Sequence, residues 1–199
     1  MIISFLLLGD HGTHKTLSVS SLGHTTSESP LPYLYSYEMS DFENPVDDLR
    51  HDNDDESNFE LPSSVQKINI WDIPSTVRDL KKFVTLPKVN ICMIFCHLNH
   101  TPTCEGVPSW YSIIQRLRPG IQVVLIAYME RETDRVDQNQ KWLLNWCRNE
   151  IHQDLPYYRV QEDYEFPAIY RQLTEYMKEK MKNITHHGLS NGTKSDSED

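Results

Sequence analysis

No run of apolar residues approaches the roughly 18 needed to cross a bilayer, so no membrane-spanning segment is expected. Basic residues are the scarcer charge: 19 Lys and Arg stand against 29 Asp and Glu, leaving a net charge of -10. A summed field of that sign repels nucleic-acid backbones and anionic membrane surfaces, which excludes a general binder of either. Cysteine is sparse too, four in 199 residues, pointing to reduced thiols in a cytoplasmic protein rather than a disulfide scaffold. The apolar run Ile2 to Leu8 has no basic flank and no small-x-small cleavage site, and Asp10 and His11 follow it at once. A buried strand accounts for it as well as a signal peptide does. Asn-x-Thr triplets at Asn99, Asn183 and Asn191 keep a secreted glycoprotein domain open as an alternative. The segment Lys194 to Asp199 contains no cysteine for prenylation, so no direct membrane anchor is expected.

What is present fits one α/β domain with a core of its own: 38% of residues are hydrophobic and 10% aromatic, too many for a wholly disordered chain. Residues 1–8 read as a buried strand ending at Gly9, 33–40 as a second, and Val65 to Trp71 as a third. Between the last two, residues 41–60 hold nine acidic side chains and one arginine, Arg50. Such a block cannot pack, so an acidic hairpin insertion over about 41–62 is expected, either a solvated loop or an electrostatic docking site. Val89 to Cys96, Ile121 to Ala127 and Tyr157 to Val160 complete six strands. The first two are apolar without polar alternation, as in strands covered on both faces. Helical stripes fall between and after them: Trp110, Ile113, Ile114 and Leu117; then Val136, Leu143, Leu144, Cys147 and Ile151, with Asp134 as N-cap. Phe166, Ile169, Tyr170, Leu173, Tyr176 and Met177 give a last helix running to about Met181. The expected architecture is a mostly parallel six-stranded sheet with helices on both faces over residues 1–181, and a disordered acidic tail over 182–199.

The chemistry starts after the first strand, at Gly9-Asp10-His11-Gly12-Thr13-His14-Lys15-Thr16. A P-loop has the pattern Gly-x-x-x-x-Gly-Lys-Ser/Thr between a strand and a helix, because backbone N–H groups must wrap phosphates. Lys15 would neutralise the β- and γ-phosphates, and the Thr16 hydroxyl would bind Mg²⁺. His14 stands where the second glycine belongs, and its Cβ is expected to crowd the phosphate or strain the backbone. An ordinary strand-to-helix turn that happens to contain Gly and Lys is the alternative.

Two further strand ends bear on the same reading. Ile70-Trp71-Asp72-Ile73-Pro74-Ser75 ends a strand on an aspartate, with Pro74 stiffening the turn. Val124-Leu125-Ile126-Ala127 leads into Tyr128-Met129-Glu130-Arg131. In these features the chain to about Met181 resembles a Ras-superfamily GTPase domain, which implies that Asp72 contacts Mg²⁺ through water and that Tyr128 to Arg131 stand where the base is read. Within that superfamily it is most similar to the Rab-like family of intraflagellar transport protein 22. Asp72 matches the Asp of the family motif Asp-x-x-Gly, with a Trp before it as in Rab- and Arf-type members, while Ser75 replaces the glycine that senses the γ-phosphate. Thr76 occupies the usual place of the water-orienting Gln, so little or no hydrolysis is expected and no residue is assigned as catalytic. Arg131 replaces the carboxylate of Asn-Lys-x-Asp, Glu130 or Glu132 being the substitutes by a register shift; Gln161-Glu162-Asp163 replaces Ser-Ala-Lys. Asp41-Phe42-Glu43-Asn44-Pro45 and Trp110-Tyr111-Ser112 complete the likeness. The resemblance implies GTP or GDP with Mg²⁺ as cofactor. It also implies the coiled-coil core proteins of the intraflagellar transport B complex as partners, in the cytoplasm and the cilium or flagellum. A nucleotide-free pseudo-GTPase scaffold is the rival.

Other constellations carry less. Cys92, Cys96, His97, His100 and Cys104 match no zinc spacing, and cysteine on a buried strand is ordinary. Trp142 and Trp146 lie one turn apart and read first as packing residues, or else as an exposed anchor for a partner.

Overall fold

Strand β1, Ile2–Gly9, lies at the centre of the sheet because seven of its eight residues are buried and it can satisfy both edges there. The computed structural model describes residues 2–22, 26–27, 33–38, 67–76, 89–151 and 155–190. The sheet order is β2-β3-β4-β1-β5-β6-β7, with β2 Thr26–Ser27, β3 Tyr33–Glu38, β4 Lys67–Asp72, β5 Ile91–His97, β6 Gln122–Tyr128 and β7 Tyr157–Val160. β1 pairs in parallel with β4 and β5, and β6 with β5 and β7. Antiparallel pairing of β3 with β4 and of β2 with β3 supplies the expected hairpin. The sheet is therefore mostly parallel, with one strand more than the expected six. The extra strand is β2, two residues long and too short for a hydrophobic period.

Alternate residues of β1 feed two cores. Ile3, Phe5 and Leu7 meet Val19 and Leu22 around helix α1 (Lys15–Ser20) and Phe166, Tyr170 and Leu173 of helix α4 (Phe166–Ser190). Leu6 and Leu8 meet Cys104, Val107 and Ile114 of α2 (Thr101–Leu117) and Val136 and Leu143 of α3 (Asp134–Trp146). Helices thus cover both faces, as the unalternating strands of the sequence require. All four cysteines are buried and unbridged.

Several details depart from the sequence expectations. The N-cap of α3 is Thr133, not Asp134: Thr133 has an extended backbone and its Oγ1 accepts from Val136 N at 3.3 Å, while Asp134 is already helical. A five-residue π turn, Cys147–Ile151, continues α3. Tyr176 is 47% exposed on α4, although it shares the spacing of the buried stripe. That helix runs past Met181 to Ser190 because backbone hydrogen bonding continues where the apolar period stops. Trp146 packs edge-on against Tyr111 with ring centroids 5.6 Å apart, whereas Trp142 is 41% exposed. The acidic segment 41–62, with Asp41 to Pro45, lies outside the described residues, as do Val65, Asn191 and the rest of the tail. No described helix is long and apolar enough to cross a membrane.

Candidate functional site

Because β1, β4, β5 and β6 run parallel, their last residues, Gly9, Asp72, His97 and Tyr128, end at one edge of the sheet. Ligands of open α/β sheets lie beyond this edge, where loops can be shaped without disturbing the strands. The segment Gly9 to Thr16 turns there. Gly9 has φ 145°, and a Cβ on it would stand 2.5 Å from the carbonyl oxygen of Phe95, so only glycine fits. Gly12 at φ 76° and His14 at φ 62°, ψ 21° both occupy the left-handed region. The strained backbone expected at His14 is present.

Lys15 folds back into this loop. Its Nζ donates to Gly9 O at 2.7 Å and to Asp10 O at 3.3 Å, closing the loop around a buried ammonium. Burial pulls its pKa below the ordinary lysine value, against the pull of Asp72 and Asp10 in the other direction. Thr16 Oγ1 donates to Asp72 Oδ2 at 2.6 Å. Burial raises the Asp72 pKa, opposed by that hydrogen bond and by Lys15. Thr13 Oγ1 ties to Asp10 O at 2.8 Å. These groups, with His11, Pro74, Ser75 and Thr76, line a cavity of about 550 Å³. Hydroxyl and carboxylate oxygens at its floor suit a hard cation such as Mg²⁺, and the ammonium suits an anion.

The helix behind the loop takes part in a way the sequence did not announce. Trp110 Nε1 of α2 donates to Asp10 Oδ1 at 3.0 Å. Gly106, one turn earlier, leaves room for that carboxylate: a Cβ there would lie 2.4 Å from Asp10 Oδ2. The helical stripe of the sequence begins only at Trp110, so the first half of α2, which contains Gly106 and Pro108, is not legible from it.

The segment expected to read a base divides. The three rings form a triangle: His14 stacks on Tyr128 with centroids 4.0 Å apart and planes 24° apart, while His97 lies 5.3 Å from His14 and 5.5 Å from Tyr128. The exposed Glu130 sets its Oε1 3.6 Å from His97 Nε2. Burial lowers the His97 pKa, with Glu130 opposing it. Met129 is buried, and Arg131 is exposed with its carbonyl accepting from Asn99 Nδ2 at 2.9 Å. Asn99 Oδ1 also accepts from Glu130 N at 2.9 Å, so this side chain clamps the turn after β6. Glu132 pairs with Arg159 of β7. Glu162 and Glu165 form a capping box ahead of α4. Cys92, Cys96 and Cys104 sit in the core, where Cys104 Sγ donates to His97 O at 3.5 Å. No model of a known protein family matches the chain, and no curated protein matches it.

Proposed function

We propose that this chain is a Ras-like nucleotide-binding domain that holds GTP or GDP with Mg²⁺ and acts through protein contacts rather than turnover. The observation that carries the reading is the buried Lys15 beside the Thr16–Asp72 pair at the floor of one cavity. Lys15 would exchange its two carbonyl partners for phosphate oxygens, and Thr16 and Asp72 would hold the cation. The cation would supply charge neutralisation between the phosphates. Ser75 and Thr76 line the same cavity in place of a sensing glycine and a water-orienting Gln, which supports slow or absent hydrolysis. With Arg131 at the base-reading position, phosphate contacts dominate and discrimination of GTP from ATP should be weak.

The motif likeness extends the proposal to a Rab-like subunit of the intraflagellar transport B complex, bound to its coiled-coil core; co-purification with that heterodimer tests it. A second reading, a nucleotide-free scaffold, is favoured by one observation: Lys15 is already satisfied by the loop carbonyls. Thermal unfolding with GTP·Mg²⁺ separates the two. At 100-fold its Kd the ligand should add about 2.7 kcal/mol, and Lys15→Ala should remove the shift. An unchanged melting temperature in the parent chain leaves only the scaffold.

A further inference from the structure

His14 comes from the loop after β1, His97 from the end of β5 and Glu130 from the turn after β6, and a donor atom of each lies within 4.8 Å of the other two. His97 is 7% exposed, yet its Nε2 has no hydrogen-bond partner among the described residues. The Glu130 Oε1 it faces stands 3.6 Å away, beyond a good hydrogen bond. A buried ring nitrogen in that position costs free energy unless a third group stands between the pair. Donors around a tetrahedral zinc ion lie about 3.3 Å apart, given bonds of about 2.0–2.1 Å, so modest side-chain rotations would bring this trio onto one ion.

The supporting contacts are those a metal site needs. His97 N donates to Thr103 Oγ1 at 2.9 Å, fixing the end of β5. Asn99 holds the Glu130 backbone from the other side. The left-handed turn at His14 sends its ring over Tyr128 and His97 rather than into solvent. Two imidazoles and one carboxylate select zinc-class ions over magnesium or calcium, which take oxygen donors.

We propose that His14, His97 and Glu130 bind one divalent transition-metal ion of the zinc class, leaving a fourth position for water or an exogenous ligand. The site shares His14 with the lining of the Thr16–Asp72 cavity, but none of its other ligands comes from that pair, and its test needs no nucleotide. Through His14 the ion would tie the loop after β1 to the ends of β5 and β6.

The test is calorimetric titration of the full, chelator-stripped chain with Zn²⁺, without nucleotide, followed by Co²⁺ absorption. One equivalent should bind. Glu130→Gln, at an exposed position where folding is not at stake, should weaken binding by about 100-fold or more, beyond the 10–100-fold typical of losing an outer-shell partner. His97→Asn should do the same, while a chain carrying His186→Ala and His187→Ala should bind as the parent does. The Co²⁺ complex should show visible bands without thiolate charge transfer. Absence of saturable binding, equal affinity in Glu130→Gln, loss in the His186/His187 variant, or a thiolate band would each overturn the proposal.

Discussion

His14 pays for its position: a left-handed backbone costs an L side chain about 1–2 kcal/mol. Its ring recovers part of this by stacking on Tyr128, an aromatic contact of about 0.5–1.5 kcal/mol. Replacing His14 with Gly removes both terms, so stability measured by urea denaturation should change by no more than about 1 kcal/mol. Calorimetry should show the same variant binding GTP·Mg²⁺ more tightly, since the ring no longer stands beside the phosphate loop, and Zn²⁺ more weakly. Tighter GTP binding fails as a prediction if the imidazole is itself a phosphate ligand. Gly9 behaves differently. A Cβ there meets the backbone oxygen of Phe95 on β5, which cannot rotate away. Gly9→Ala should therefore cost about 3 kcal/mol, the upper end of the scale for overpacked cores, read as a lowered denaturation midpoint.

Helix α3 offers a test of local capping. Thr133→Ala leaves Val136 N without its side-chain acceptor, and should cost about 1 kcal/mol; Thr133→Ser should restore most of it. The Thr133 assignment also shows where reading a sequence stops. Both Thr133 and Asp134 are good caps by composition, and only the backbone angles choose between them. Strands β1, β5 and β6 were legible because their apolar runs have no polar alternation to misplace. The loop from Gly9 to Thr16 was legible because its glycines and lysine fall in fixed order. The ring cluster of His14, Tyr128 and His97 was not: His14 caps α1 while the other two end β6 and β5, and no spacing along the chain links them. The pairing of Asp10 with Trp110, which the missing side chain of Gly106 makes room for, was hidden for the same reason.

For the molecule as a whole, acidity should act through His97. Its folded pKa lies below 6.5 because burial disfavours the imidazolium. Between the two values the unfolded chain binds more protons than the folded one, so stability falls as pH drops through about 6.5. In chelator-treated protein that slope should shrink in His97→Gln, as measured by denaturation at pH 5 to 8; an unchanged slope places the effect elsewhere. The central place of β1 has a consequence for synthesis. Ile2 pairs with Lys67, and Phe5 with Ile91, so this apolar strand leaves the ribosome long before either neighbour exists. A nascent chain in which Asp72 has cleared the exit tunnel can cover one side of it, and only a chain in which His97 has cleared it can cover both. Until then Ile2 to Leu8 is bait for chaperones and for other nascent chains, and protease resistance should arise late and abruptly along the growing polypeptide.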